Sequence, residues 1–270
     1  MFKLVVTDLD GTFLNSGGSF DGDLFDDVYE EMKKKGVAFA ACTGKQCERV
    51  EELFAGREGI WILGDSAARI KRDGRTVRTF SLERELALAS IREILDFDPN
   101  LVVIACTGAS AYVREDIGEA DYAIVKNSYR EVSRTSSFEQ IEEPFVKITV
   151  YDPAGRSAAV RLHVERTMHG QIYIVDSEAD WLDITASGTH KGETVMKLQE
   201  MLGVAKEETL SFGDGENDVE LMDIAEFSFA VRNACENTKA AAAFVTRSND
   251  ENGVLLTVRK MLALLDRVPV

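Results

Sequence analysis

Proline and cysteine are scarce in this sequence, and long apolar runs are missing from it. Its 270 residues include only 4 prolines, so we expect no long proline-rich linker. The 4 cysteines lack the spacing of a zinc ribbon or a CxxC redox pair, and we expect reduced thiols in a cytoplasmic protein. No run reaches the length of a membrane span, and acidic residues interrupt the apolar start too early for a signal peptide.

Positive charge is also in short supply. Lysine and arginine number 31 against 47 aspartates and glutamates, which gives a net charge of -16. A chain this acidic repels the phosphates of nucleic acids and the surfaces of anionic membranes, so we expect neither as a partner. A small phosphate ester would have to be held by local cations. The length suits one large domain or two modest ones, and it leaves open whether the protein is a monomer or a homodimer.

Short apolar runs alternate with helical patterns at the start of the chain. Leu4–Thr7 and Val37–Ala41 predict buried strands, and each is closed by a polar cluster. Residues 21–35 and Lys45–Phe54 predict helices, and Ile60–Leu63 predicts a third strand. This alternation predicts an α/β fold with a doubly wound, Rossmann-like parallel sheet that is covered by helices on both faces. Ligands of such sheets bind beyond the carboxyl ends of the strands, where both polar clusters lie.

The pattern changes in the middle of the chain. Strand-like runs such as Phe145–Tyr151 alternate there with helical segments and turns, which predicts an α+β insert with an antiparallel sheet. We place this inserted cap domain at residues 82–185 and the core domain at 1–81 and 186–270. Further core elements are predicted as a hairpin around Asp73-Gly74, helices at Lys191–Leu202 and Asn217–Ala225, strands at Thr209–Phe212 and Phe227–Ala230, and a C-terminal helix from Gly253.

Two carboxylates stand two residues apart at the end of the first strand. If the chain is extended there, Asp8 and Asp10 point into one crevice. One can attack phosphorus, and the other can handle the proton of the leaving oxygen. Gly11 permits the tight turn that such a loop needs. Taken alone, the motif also fits an exposed turn, whereas a calcium loop is disfavoured because the later acidic ligands of an EF-hand are missing.

A second acidic loop, Gly213–Asp218, follows an apolar strand and opens a helix. Asp214 and Asp218 offer carboxylate oxygens, which are ligands that Mg2+ prefers. The alternative is a glycine turn followed by the acidic first turn of a helix, where acidic residues are favoured without any metal.

Two smaller elements could bind a phosphoryl group. Thr43 and Gly44 place a hydroxyl and main-chain N–H groups at a predicted helix N-terminus, which suits phosphate oxygens but also simple N-capping. Lys191 could neutralise a phosphate and the carboxylates around it, or it could be an ordinary surface charge.

The four elements occur in the order DxDGT, TG, Lys and GDGxND, each at a predicted strand end or helix start. This arrangement resembles the haloacid dehalogenase-like hydrolase superfamily. The large insert after the second element is similar to the Cof-type phosphatase branch of that superfamily. The resemblance spans essentially the whole chain, and the first and fourth elements are its most specific pair.

The resemblance implies a Mg2+-dependent phosphatase that hydrolyses small phosphorylated metabolites, such as sugar phosphates, through an aspartyl-phosphate intermediate. It implies that Asp8 is the nucleophile and a metal ligand, and that Asp10 is the general acid/base whose main-chain carbonyl also contacts the metal. The insert would close over the site as a cap. The other implied roles are phosphoryl binding by Thr43, Gly44, Lys191 and Asn217, and metal binding by Asp214 and Asp218.

Two alternatives stay open. One is a phosphomutase on the same scaffold, and the other is a non-catalytic regulatory module that binds phosphometabolites. The module is disfavoured because a decayed site would be expected to lose at least one of its carboxylates or its lysine. Two positions depart from the family pattern, namely Lys45, where many members carry arginine, and Gly64–Ala67, where an Asn-Gly pair is common. Both departures bear on specificity more than on chemistry.

Overall fold

The structure, a computed structural model, describes residues 1–178 and 180–266. The strands are β1 (Leu4–Thr7), β2 (Ala38–Cys42), β3 (Trp61–Gly64), β4 (Arg69–Arg72), β5 (Arg75–Thr79), β6 (Val102–Thr107), β7 (Ala111–Arg114), β8 (Val132–Thr135), β9 (Phe145–Tyr151), β10 (Ile172–Glu178), β11 (Trp181–Ala186), β12 (Thr209–Gly213), β13 (Phe227–Ala230) and β14 (Phe244–Val245). The helices are α1 (Gly22–Lys34), α2 (Cys47–Leu53), α3 (Arg84–Phe97), α4 (Glu119–Ser128), α5 (Ser157–Met168), α6 (Lys191–Leu202), α7 (Val219–Asp223), α8 (Glu236–Ala241) and α9 (Gly253–Leu265). None of these described helices is long and apolar enough to cross a membrane.

The first sheet has eight strands in the order β14-β13-β12-β1-β2-β3-β4-β5. Its pairs from β14 to β3 are parallel, and the β4–β5 hairpin extends the sheet in antiparallel fashion. Successive residues of β1 enter different cores, because side chains alternate across a strand. Val5 packs in a core with Val28 and Val258, from α1 and α9. Leu4 packs with Val195, from α6, on the opposite face. The predicted doubly wound core is therefore confirmed.

The second sheet has six strands in the order β10-β11-β9-β6-β7-β8. The predicted antiparallel arrangement is wrong at one edge, because β7 and β8 pair in parallel. Parallel neighbours need a crossover connection, and α4 provides it. The sequence predicts no element for this region, since Val125 is the one residue of α4 that is buried and the helical pattern is correspondingly weak.

Element boundaries around the first sheet lie within two residues of the predictions, and one predicted helix differs in type. Helix α6 has the predicted bounds, and α9 begins at the predicted Gly253. The helix predicted at Asn217–Ala225 is instead a short 3-10 turn, Glu216–Asp218, followed by α7. The strands of the second sheet lie between residues 102 and 186, and the division into a core and a cap domain stays a prediction.

Candidate active site

The carboxyl ends of β1 and β12 bring the two acidic loops into contact. Asp8 directly follows β1, and the chain then turns at Gly11, whose φ of 75° is left-handed. A Cβ atom at Gly11 would lie 2.5 Å from Asp214 Oδ2, which is closer than such atoms approach. Thr12 Oγ1 donates a hydrogen bond to Asp214 Oδ1 at 2.6 Å. Glycine at position 11 therefore allows one loop to rest directly on the other.

Lys191, the first residue of α6, places its ammonium between carboxylates of both loops. Its Nζ lies 2.7 Å from Asp8 Oδ1 and 2.6 Å from Asp218 Oδ1. Only 6% of the lysine side chain is exposed. Burial disfavours the charge, but the attraction of Asp218 and Asp8 outweighs it, so the pKa of Lys191 lies well above its ordinary value. The protonated, cationic form of the buried lysine is therefore favoured beside the predicted nucleophile.

Asp218 holds the second loop in place. Its Oδ2 accepts the main-chain N–H groups of Asp214 at 2.9 Å and Gly215 at 3.0 Å, while its Oδ1 accepts from Lys191. A Cβ at Gly213 would lie 2.4 Å from the Cβ of Asp218, so this glycine is needed for the close approach. Both carboxylate oxygens thus position the loop and the lysine. The role of Asp218 as a direct metal ligand stays a prediction.

Three carboxylates converge where a metal ion was predicted. Asp8, Asp214 and Asp218 each offer an oxygen, and these oxygens lie within 4.8 Å of one another. Burial raises the pKa of Asp8 well above its ordinary value; Lys191 opposes this shift, whereas Asp218 and Asp214 add to it. Burial also raises the pKa of Asp214, to about 6. Three carboxylates share a single lysine, so the cluster carries excess negative charge. Their oxygens suit a hard divalent cation, and the site therefore fits such an ion.

One cavity of about 560 Å³ opens above these groups and gathers the predicted site residues. Thr43, which follows β2, is 1% exposed, and its Oγ1 accepts the N–H of Lys45 at 3.2 Å. Asp218 is buried beside Lys191 and does not line the cavity. The predicted residues that line it are Asp8, Asp10, Thr43, Gly44, Lys191, Asp214 and Asn217.

Asp10 lies on the open side of the cavity. Its Oδ1 pairs with Lys45 Nζ at 3.0 Å, and the side chains of Asp10 and Lys45 are 44% and 34% exposed. A carboxylate in this place can reach solvent and a bound ester, as a general acid/base must. Lys45, one of the two departures from the family pattern, is thus the partner of the predicted proton carrier.

The far wall of the cavity comes from the second sheet, and sequence reasoning missed its residues. Lys147 on β9 and Asp183 on β11 form a buried ion pair, with 3.0 Å between Nζ and Oδ2. Tyr129, Thr149 and Trp181 also line this wall. Each charge interrupts an apolar strand run, FVKITVY or WLDITA. That interruption is a usable signal, because fully buried charges are almost always paired.

Two side chains at the start of α2, Gln46 and Arg49, form hydrogen bonds to the main chain near the end of α4. Gln46 Oε1 accepts the main-chain N–H of Arg130 at 2.8 Å. Arg49 donates to the carbonyl oxygens of Lys126 at 3.0 Å and Tyr129 at 3.2 Å. The cavity is therefore bounded on this side by polar contacts between the start of α2 and the C-terminal end of α4 with the two residues that follow it.

Comparison with known proteins assigns this arrangement to a class. The model of the haloacid dehalogenase-like hydrolase family matches residues 5–257, and the chain belongs to that family. A relative, the 5-amino-6-(5-phospho-D-ribitylamino)uracil phosphatase YbjI of Escherichia coli strain K12, is 29% identical over 96% of this chain and 96% of its own. SMU.1108c from Streptococcus mutans UA159 has a crystal structure with a TM-score of 0.91, 27% identity, and coverage of 97% of this chain and 100% of that chain.

A more distant structure shares the fold alone. It is a subclass IIB sugar phosphatase of the same superfamily, with 18% identity, a TM-score of 0.78, and coverage of 96% of this chain and 98% of its own. The family predicted from the sequence is confirmed, and so is the enzyme class, a phosphoric monoester hydrolase. The roles of individual side chains stay predictions.

Proposed function

We propose that this protein is a Mg2+-dependent phosphatase that hydrolyses sugar phosphates or similar small metabolites through a phosphorylated Asp8. The observation that supports this most strongly is the buried Lys191 ammonium, 2.7 Å from Asp8 and 2.6 Å from Asp218. Asp214 brings a third carboxylate within 4.8 Å of theirs. A phosphate dianion would be repelled by these acids unless a lysine and a divalent cation offset their charge.

The first half-reaction transfers the phosphoryl group to Asp8. Lys191 holds Asp8 Oδ1, and the other oxygen, Oδ2, would be the one that attacks phosphorus. A bond forms between this oxygen and phosphorus while the bond to the leaving oxygen breaks, and Asp10 gives that oxygen a proton. Thr43, Asn217 and the main chain at Gly44 hold the phosphoryl oxygens, together with the Lys191 charge.

The second half-reaction returns Asp8 to its free form. Asp10, now a carboxylate, takes a proton from a water molecule, and the resulting nucleophile cleaves the bond between phosphorus and Asp8 to release inorganic phosphate. Mg2+, held by Asp8, Asp214, the main-chain carbonyl of Asp10 and the Asp218 region, would stabilise the negative charge on the transferring group.

The cavity sets the size of the leaving group. A volume of about 560 Å³ lies within the range of small-molecule sites and exceeds what a phosphate needs. The name of the Escherichia coli relative specifies a phosphorylated ribityl chain on a pyrimidine. The second-sheet wall of this cavity offers the hydroxyl of Thr149 and the rings of Tyr129 and Trp181. We therefore propose polyol and sugar phosphates, including esters that carry a planar ring, as the substrate class.

Phosphate release tests the proposal. The purified protein with Mg2+ should release phosphate from p-nitrophenyl phosphate and from several sugar phosphates, and excess EDTA should stop the release. Asp8→Asn should abolish turnover, whereas Asp223→Asn, at an exposed position outside the cavity, should not. A failure to release phosphate from any ester would refute the proposal. Interconversion of two phosphosugars with little free phosphate would show a mutase instead, and ligand-induced stabilisation without product would show a binding module.

A further inference from the structure

The Lys147–Asp183 pair lies on neighbouring strands of the second sheet and faces the cavity. Asp183 stands opposite Thr149 in the β11–β9 register, and Lys147 is two residues from Thr149 on the same face of β9. The lysine and aspartate side chains are only 3% and 2% exposed. Both residues line the same cavity as Asp8 and Asp214, and in the proposed function the leaving group of the ester occupies this cavity.

All the hydrogen-bonding capacity of this lysine is used within the protein. An ammonium has three N–H donors. Those of Lys147 reach Asp183 Oδ2 at 3.0 Å, the Gly44 carbonyl at 3.1 Å and Ser66 Oγ at 3.2 Å. Burial opposes the charged form, yet the attraction of Asp183 helps to raise the pKa of Lys147 above its ordinary value. The group is therefore a cation with no donor left for a ligand.

The aspartate is saturated in the same way. Its Oδ1 accepts from Thr149 Oγ1 at 2.6 Å, and its Oδ2 accepts from both Lys147 and Ser66. Tyr129 extends the network, because its hydroxyl donates to Thr149 Oγ1 at 3.1 Å. The pair therefore contributes no net charge to the cavity, and the hydroxyl-bearing side chains beside it that line the cavity are Thr149 and Tyr129.

The other cations that line the cavity are also matched by carboxylates, within the described part of the chain. Arg49 pairs with Glu52 at 3.0 Å, and Lys45 pairs with Asp10 at 3.0 Å. Lys191 lies between Asp8 and Asp218. A second anionic group beside the Lys147–Asp183 pair would find no unpaired cation there, and an anion that loses water without gaining a partner is strongly disfavoured.

We infer that Asp183 is a specificity-determining residue: by neutralising Lys147 it restricts the leaving group to uncharged, hydroxyl-bearing molecules and excludes those with a carboxylate or a second phosphate. The inference rests on the proposed phosphatase function and deepens it. It narrows the substrate class to phosphate esters whose phosphate is their sole acidic group.

Matched substrates test the inference on the unmodified protein. Glycerol 3-phosphate and 3-phosphoglycerate differ by a carboxylate, as do sorbitol 6-phosphate and 6-phosphogluconate. We expect kcat/KM to be at least about tenfold higher for the uncharged member of each pair, because the acid leaves its second charge unpaired. Equal values, or a preference for the acids, would overturn the inference while leaving the phosphatase function intact. A lack of hydrolysis for every ester would instead overturn the proposed function, and the inference with it.

Variants of the pair test the cause. Asp183→Asn keeps the shape of the side chain but leaves the Lys147 charge unmatched, so a substrate carboxylate can take the place of Asp183. We expect the preference for uncharged esters to fall about tenfold or more in this variant. Combining Asp183→Asn with Lys147→Met removes both charges and should restore the original preference.

Asp152→Asn serves as the matched control. Asp152 is 2% exposed and pairs with Arg156 at 3.0 Å, yet it does not line the cavity. This variant should leave the preference unchanged. An unaltered preference in Asp183→Asn, or an equal change in Asp152→Asn, would overturn the inference. Should Asp183→Asn fail to fold, as judged by circular dichroism, the wild-type comparison and the double variant still decide the matter.

Discussion

Replacing Gly11 by alanine tests how closely the two acidic loops must approach each other. The φ of 75° at this position costs an alanine about 1 to 2 kcal/mol. The new Cβ would also lie 2.5 Å from Asp214 Oδ2, whereas ordinary contacts of such an atom begin at 3.4 Å. The Asp214 carboxylate would therefore have to retreat by about 0.9 Å, the difference between those two distances.

This retreat should damage catalysis more than stability. The displaced atom is the free end of a side chain, so the fold can absorb the contact at little cost. A misplacement of about 1 Å in a catalytic group, however, can lower the rate by about a hundredfold. We expect Gly11→Ala to lose about 1 to 2 kcal/mol of unfolding free energy, to fall about a hundredfold in kcat/KM, and to need more Mg2+ for half-maximal activity.

Gly36→Ala provides the matched control, because it separates the backbone cost from the contact. Gly36 has a φ of 68°, and no atom lies within 4 Å of the position its Cβ would take. Urea unfolding should show similar losses of stability in the two variants, while phosphate release at graded Mg2+ should show a defect in Gly11→Ala alone. Equal activity and equal Mg2+ requirement in both variants would refute the reasoning, and so would an activity loss of the same size in Gly36→Ala.

Three further predictions concern charge. Lys191→Met should lower kcat by about a hundredfold or more in phosphate-release assays, because no other side chain among residues 1–178 and 180–266 is seen to supply a cation between Asp8 and Asp218; a small effect would contradict that role. Mg2+ at about 100 times its dissociation constant should raise the unfolding free energy by about 2.7 kcal/mol, and an equal gain in Asp214→Asn would argue against Asp214 as a ligand. The ion pair with Glu220 raises the pKa of His190 although burial opposes it. Its stabilisation should therefore be present below about pH 6.5 and be lost as pH rises through the raised value, which a comparison of wild type and His190→Gln by denaturant unfolding across this range measures.

Much of the carboxylate cluster could be predicted from the sequence because its parts are local. Asp8 and Thr43 each come directly after a parallel strand, and Asp214 does as well. In a parallel sheet these positions share one edge whatever the rest of the chain does. The short pattern around each residue, together with the alternation of strands and helices, is therefore sufficient to predict that these residues lie close together.

The far wall could not be predicted in the same way, because it depends on the order and register of distant strands. Lys147 meets Asp183 because β9 is the neighbour of β11, with Thr149 placed opposite Asp183. Nothing local in either strand specifies that neighbour. The sequence contains the two charges as isolated interruptions of apolar runs, and only the tertiary structure shows that each is the partner of the other.

The turn after β3 illustrates a second limit of local reasoning. The sequence marked Gly64–Ala67 as a departure from the family pattern but predicted no conformation for it. In the structure Asp65, Ser66 and Ala67 have successive φ values of 55°, 57° and 62°, which non-glycine residues rarely adopt in series. Side-chain contacts hold the turn, with Asp65 paired to Arg69 at 3.2 Å and Ser66 bonded to Asp183. The local sequence does not predict a conformation that depends on a residue as distant in the chain as Asp183.

Lys147 connects the second-sheet wall of the cavity to the proposed phosphoryl site, and this connection affects how specificity has to be measured. Its ammonium binds Asp183 and also the carbonyl of Gly44, the residue next to Thr43 in the proposed phosphoryl site. A change at Asp183 can therefore shift Gly44 and its neighbour Thr43, and so alter kcat for every ester, charged or not. Such a shift cancels when two esters with the same phosphate are compared in one variant. The ratio of their kcat/KM values, rather than either rate alone, is thus the quantity that isolates the charge of the leaving group.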